Sequence, residues 1–493
     1  MEQNTFLHAL RSNPLNLLLL CVVYEDYEGK LPTSQTELYQ VIVQCLLRRC
    51  CAKLSLALPK DNATLHKRFE EDVLALGQLA WMCLLNDRQS FPEGELAQCE
   101  VKNQNLVARK IGLLYMEESR KRINPQHEYW FLHKTFQEYL AAAFITHKLL
   151  RGEFNVFEYT TFDDLVRKYP QVFLFVSCML GEKATVLFTQ IGATLKESKW
   201  GWDWNDCSEQ AATFFVKSFS ETGHAEQMAT TLCGVMPFPE KVFLDGVSDT
   251  GFPFAEVLIA CESFLNLQTP VQLKATFDEM SNQERDVSIR CIESLSKLES
   301  VSLKFTDQTL ISEEADHLRK WLCLSKSLSE FTFKSLCGYE SYEALVLLCN
   351  GLASCKTLRK VKFSIPGENS AEYIEAVETE LSPDTPLTSA VVLEIYGSMS
   401  FSAIQALHKL LSNKSLKSLS LDIFGDAKDL LAGAISEALA RQTVLKSTYL
   451  CLGGKLSSAG ASSLKKGLLR NRSLNYFKAV SYTHLTLPTK RIV

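Results

Sequence analysis

Apolar residues fall in two rhythms along the chain, and the change from one to the other divides it. Up to about residue 290 they recur at offsets of three and four, the spacing of helices with one buried face. Leu38, Val41, Ile42 and Cys45 follow Ser34 and Glu37, a capping-box pair, and predict a helix running to about Cys51. Phe69, Val73, Leu76, Leu79 and Ala80 predict another over about 66–85. Phe136, Leu140, Ala143, Phe144 and His147 predict a third, preceded by the aromatic strand Tyr129-Trp130-Phe131-Leu132. Asn13-Pro14 is a helix start, with Asn as cap and Pro at the first helical position, leading into the nearly continuous apolar run Leu15 to Val23. Leu113 to Glu118 and His127 to Leu132 read as two strands joined by the basic turn Arg120-Lys121-Arg122. Helices followed by a small hairpin point to a winged-helix domain.

From about residue 295 the rhythm changes to LxxLxL strand cores alternating with amphipathic helices. The cores begin at Leu298, Leu328, Leu358, Ala390, Leu416, Leu445 and Leu474, at spacings between 26 and 32 residues. A strand plus a helix at this period is similar to the ribonuclease-inhibitor type of leucine-rich repeat, whose stacked units curve into a horseshoe with the strands inside. The residues between the last two apolar positions, Ser302, Thr332, Lys362, Glu394 and Ser420, are then the candidate partner-binding row. They favour no charge class, and each can equally be a solvated position. The loop position that usually holds Asn or Cys carries Thr306, Leu336, Pro366, Ser398, Phe424 and Gly453, so a weakened hydrogen-bond ladder is expected.

Composition excludes more than it proposes. The net charge of −5 over 493 residues argues against a nucleic-acid binder, three basic residues on a hairpin tip notwithstanding. Sixteen cysteines without a CxxC pair or metal-ligand spacing read as reduced core residues of a cytoplasmic protein. No leader is expected at Met1, and the apolar run from Leu15 is too short to span a membrane. No metal site is expected, because His127-Glu128 lacks the second histidine of a zinc helix. There is no GxSxG and no nucleophile beside a histidine, so no catalytic residue is assigned and an enzyme is not expected. Trp200, Trp202 and Trp204 alternate, as an exposed partner site or as aromatics covering a helical core. Val480 to Thr489 resembles the translated read-through of a transposon-type sequencing adapter, so the native chain is expected to end near Ala479.

Asn13-Pro14-Leu15 with its Leu-rich helix, Leu31-Pro32-Thr33, Thr36-Glu37-Leu38-Tyr39, and Phe131-Leu132-His133 with Phe136-Gln137-Glu138-Tyr139-Leu140-Ala141-Ala142 resemble, in that order, the NOD-like receptor family. The likeness covers about residues 10–150 and is to the part that follows the NACHT nucleotide-binding core. Together with the repeat period and the adapter-like tail, it gives an α+β multidomain chain: the end of a first helical domain (1–30), a winged helix (31–150), a second helical domain (151–294), ribonuclease-inhibitor-type repeats (295–479) and the non-native tail (480–493). It implies that Pro14 packs on the adenine and His133 touches the β-phosphate of ADP. Physically, a proline ring is a flat apolar surface and an imidazole at a helix start can donate to phosphate. Equally, Pro14 can merely start its helix and His133 can be a satisfied structural residue. The family's GxxxxGK[ST] loop is missing; Gly29-Lys30-Leu31 and Gly454-Lys455-Leu456 lack the hydroxyl and the glycine spacing. No cofactor is therefore expected in this chain, with ADP or ATP and Mg²⁺ belonging to a longer receptor.

The functional expectation is the sensing and autoinhibitory part of an innate-immune receptor. Its partners would be the NACHT domain of the same receptor, an unknown ligand at the repeats and, in an inflammasome-like assembly, further copies of itself. The alternative is a standalone leucine-rich-repeat scaffold that binds protein with no nucleotide role.

Overall fold

The computed structural model describes residues 21, 24, 32, 34–102, 107–119, 123, 126–198, 204–245, 251–265, 269–336, 340–424, 429–453, 457–481 and 490–491. Pro14, Trp200, Trp202 and the Arg120–Arg122 turn lie outside them. The chain forms two compact units, residues 1–202 with 213–237, and residues 203–212 with 238–493.

In the first unit Ser34 caps α1 (Gln35–Lys53), its hydroxyl accepting the Glu37 N–H at 3.2 Å. The helix expected over 66–85 is two helices, α2 (Asn62–Arg68) and α3 (Glu70–Leu85). Asp61 caps the first through the Thr64 N–H at 2.8 Å, and the buried Phe69 makes the break at φ −107°, ψ 14°. Next come β1 (Ser90–Pro92), α4 (Glu93–Lys102), β2 (Leu114–Glu117) and β3 (Glu128–Phe131). They form an antiparallel sheet of order β1-β3-β2, so the expected hairpin gains a third strand. The motif helix α5 (Lys134–Leu150) crosses α3 closely at Gly77, where a Cβ would meet the Leu140 carbonyl and lie 2.8 Å from Phe144 Cβ. Tyr39 knits α1 to α5 and to α7 (Pro170–Leu180), with ring centroids 5.1 Å from Phe136, 5.9 Å from Tyr139 and 5.6 Å from Phe175. Around α7 lie the short α6 (Phe162–Arg167), α8 (Thr185–Glu197), α9 (Glu209–Thr222) and α10 (Ala225–Val235). The stretch 170–197 is apolar and long enough to cross a membrane, but it turns at Gly181 (φ 54°), and Val172, Phe173, Phe175 and Phe188 are buried in this core.

The second unit is a parallel sheet whose strands follow in chain order. They are β4 (Lys241–Asp245), β5 (Gln272–Thr276), β6 (Ser300–Phe305), β7 (Glu330–Ser335), β8 (Lys360–Pro366), β9 (Val391–Tyr396), β10 (Ser418–Ile423), β11 (Ser447–Leu452) and β12 (Tyr476–Ser481). A helix joins each pair, from α11 (Gly251–Leu265), α12 (Asn282–Ser294), α13 (Ser312–Leu324) and α14 (Tyr342–Ser354) through α15 (Ser370–Thr379) with the short α16 (Leu387–Ala390) to α17 (Phe401–Ser412), α18 (Asp429–Arg441) and α19 (Ser458–Arg470). Strand residues alternate buried and accessible. Val301, Phe331, Val361, Val391 and Leu419 form one buried column, and Leu303, Phe333, Phe363, Leu393 and Leu421 the next.

Three expectations need correction. The sheet starts at Lys241 rather than at 295, so the segment expected as helical up to 294 already contributes two strands. The β4 and β5 cores are led by Pro239 and Pro270 where the LxxLxL template has leucine, which hides them from the pattern. The fourth core does not begin at Ala390, because Val391 pairs with Val361 and so places Thr388 opposite Leu358. Contacts away from the loop position that usually holds Asn or Cys also join neighbouring strands. Phe277 stacks on Phe305 at 4.5 Å and Phe305 packs tilted against Phe333 at 5.4 Å, while polar side chains cap the other end of the strands. There Ser327 donates to Leu298 O, Thr357 to Leu328 O, Gln442 to Leu411 O and Asn413 O, and Asn471 to Leu439 O. Lastly, Val480 and Ser481 continue β12, and β13 (Lys490–Arg491) pairs antiparallel with Tyr476 and Phe477. Residues past 479 were expected to belong to no fold. The open edge of β12 offers unpaired N–H and C=O groups on which a short extended tail can form such a bridge.

Candidate functional site

Two places gather chemistry, one in each unit. In the first, β3 leads into α5 and His133 sits at the helix N-cap with extended backbone (φ −159°, ψ 154°). Its Nδ1 accepts the Thr135 N–H at 3.2 Å and lies 2.7 Å from Thr135 Oγ1, which receives the Tyr39 hydroxyl at 2.5 Å. A neutral ring whose Nδ1 accepts carries its proton on Nε2, so the far nitrogen is the donor. The ring is half-buried. Gln137 is fully buried and donates to Arg88 O at 2.8 Å, tying α5 to the turn before β1. Glu138 is buried at 7 % exposure; burial pushes its carboxyl up to about 7, opposed by Lys134, whose Nζ is 3.9 Å away.

In the second unit the accessible face of the parallel sheet carries the polar row. Ser302, Thr332 and Lys362 stand side by side as expected, and the row continues through Val392 to Ser420. Glu394 is not in that row. With the register of β9 two residues from the expected one, it lies beside Ser364 and Asp422. Parity keeps it on the same face, so Lys362 reaches it diagonally at 2.7 Å and Ser364 Oγ donates to it at 2.8 Å. Burial opposes ionisation of Glu394, but these two bonds prevail and hold its carboxyl below the usual range. Asp422 has no such support. Its Oδ1 is enclosed without a hydrogen-bond partner, and burial, then the Glu394 charge, push its carboxyl up against the pull of Lys362. Facing side chains on neighbouring strands stand about 5 Å apart, where two like charges at an effective dielectric of about 20 repel by about 3 kcal/mol. One strand position further, Tyr396 and Phe424 stack at 5.0 Å and 13°, both exposed by more than a third. Sequence reasoning passed over Asp422 and Tyr396 altogether, and assigned Phe424 only to a loop.

Other clusters are structural. Arg285 is buried in the second unit and forms a bidentate pair with Glu314 (2.6 Å twice), bonds Gln308 Oε1 and Thr309 O, and lies over the Phe277 and Phe305 rings. It borders a cavity of about 590 Å³ lined also by Asp286, Asp307, Glu313 and His317. Trp204 stacks on Phe238 at 4.6 Å and Phe254 at 5.5 Å and is 2 % exposed, a core aromatic. Among the described residues no three His, Cys, Asp or Glu side chains gather as metal ligands, and the described cysteines are free thiols. No family model matches the chain, and a search of curated proteins finds no relative.

Proposed function

We propose that this chain is the regulatory and sensing portion of a cytosolic NOD-like innate immune receptor. In this reading the second unit is a leucine-rich-repeat horseshoe that takes a ligand or partner on its strand-lined face. The first unit contains the winged helix that closes over an ADP-loaded NACHT domain. The single observation that carries the reading is the chain-ordered parallel sheet from β4 to β12, with a helix returning between each pair of strands and a polar accessible face. Such an array exposes a broad inner surface, which suits recognition. His133 supports the regulatory half: it sits at a helix N-terminus, half-exposed, with Nε2 as donor, where a phosphate oxygen can be met. A phosphate contact made only in the closed form biases a two-state switch toward that form.

The test uses the receptor that carries the nucleotide module in frame upstream of this sequence. His133→Leu should raise its basal oligomerisation; unchanged oligomerisation removes the role of His133. An upstream reading frame without GxxxxGK[ST] removes the nucleotide switch as a whole and leaves the chain a protein-binding scaffold.

A further inference from the structure

The accessible face of the sheet is not uniform in sign. Over β5 to β8 it carries Lys274, Lys304, Lys334 and Lys362, with Lys304 paired to Asp278 at 3.0 Å. Over β9 and β10 it carries Glu394 and Asp422 directly opposite one another. Among the described residues two carboxylates there face one ammonium, and Lys362 is bound to Glu394. Among the described residues Asp422 makes no ion pair, and its Oδ1 has no hydrogen-bond partner. Like charges set opposite each other across a sheet destabilise it, and among the described residues Asp422 is offset only by the pull of Lys362, which is already bound to Glu394.

The aromatic pair beside them is the second, independent feature. Tyr396 and Phe424 lie nearly parallel and are 38 % and 41 % exposed, so they present π surface to whatever lies on the sheet. The Tyr396 hydroxyl donates to Glu394 Oε2 at 3.2 Å, which fixes the ring beside the carboxylates. Aromatic faces next to a carboxylate pair that shares one ammonium attract a cation twice over, through the ring quadrupole and through charge. A guanidinium can lie flat on a ring and bond a carboxylate with its edge.

We propose that the accessible face of β9 and β10 docks a cationic segment of a partner protein, whose arginine or lysine lies along Tyr396 and Phe424 and ends on Asp422 and Glu394. The proposal rests on reading the repeat face as the sensing surface and adds the chemistry of what that face takes.

A phage-displayed library of random peptides of about twelve residues, panned on the full chain, tests it. Enriched peptides should carry Arg or Lys. Their affinity should fall on the order of tenfold or more for Asp422→Asn with Glu394→Gln, and similarly for Tyr396→Ala with Phe424→Ala. The carboxamide variants keep the side-chain shapes, and their far-UV circular dichroism should match the parent. Peptides without a cationic excess, peptides indifferent to both variants, or no enrichment overturn the proposal. If non-cationic peptides are displaced by Thr332→Arg, the cationic partner fails while the sensing face stands. Peptides that no substitution on this face displaces tell against both.

Discussion

Glu138 is a carboxyl buried inside the motif helix, and its removal should make the first unit more stable in a pH-dependent way. Desolvation raises it from the ordinary 4.5 to about 7, and the partly exposed Lys134 ammonium at 3.9 Å recovers only some of that. Lys134 is on the same helix, and from α1 the Tyr39 hydroxyl feels the charge of this carboxyl. The displacement corresponds to about 3 kcal/mol of ionisation penalty. In the unfolded chain Glu138 releases its proton near 4.5, while in the fold it keeps it to about 7. The native state therefore holds more protons between those values, and stability falls as pH rises through that window. Below it no penalty applies; above it the penalty is complete. Glu138→Gln removes the titrating group and keeps the size, so its gain should be about 2–3 kcal/mol near pH 8 and near zero around pH 4. Hydrogen exchange over residues 134–150 in graded urea reads the opening of this helix in the full chain. A gain that is the same near pH 8 and near pH 4, or a loss at both, would refute the reasoning.

Two further substitutions probe packing. Gly77→Ala places a Cβ against the Leu140 backbone at the α3–α5 crossing, where neither helix can yield locally, and should cost about 1–3 kcal/mol by the same exchange measurement. Arg285→Ala leaves the Glu314 carboxylate buried without its partner and should cost about 3–5 kcal/mol, whereas Arg285→Met with Glu314→Leu should return most of it; exchange over residues 282–324 distinguishes the two.

Much of this architecture can be read from the sequence because its signals are local. Ser34 with Glu37, the aromatic strand before His133 and the leucines of β6 to β8 each name an element within a few residues. What fails is whatever depends on pairing. Pro239 and Pro270 replace the leading leucine of β4 and β5, and only a neighbouring strand shows that they belong to the sheet. Thr388 occupies a leucine position, so Ala390 offered a false start two residues late. Glu394 therefore left the candidate row, and its encounter with Asp422 went unseen. The aromatic pair escaped for the same reason, since Tyr396 and Phe424 are 28 residues apart and meet only once β9 and β10 are in register. Long-range register is set by complementary burial along whole strands, which a single LxxLxL match does not carry.

The choice of histidine at position 133 is itself informative. Among the other described α-helices the side chains that cap are short oxygen acceptors: Ser34, Asp61, Thr161, Ser281, Ser341, Ser400 and Ser457. These are the residue types that satisfy a first-turn N–H with least loss of freedom. His133 does the same task with Nδ1, and what it adds over serine is a second nitrogen bearing a proton on the far side of the ring. If capping were its whole purpose, His133→Ser should be silent in every assay. If the far nitrogen meets a phosphate, the same substitution should leave stability within about 0.5 kcal/mol, because the cap is kept, and still raise basal oligomerisation of the nucleotide-loaded receptor. His133→Leu loses both functions and should cost about 1 kcal/mol in addition. Serine and leucine variants that oligomerise alike but differ in stability would place the role on Nε2. A serine variant that behaves as the parent in both measurements would reduce His133 to a cap.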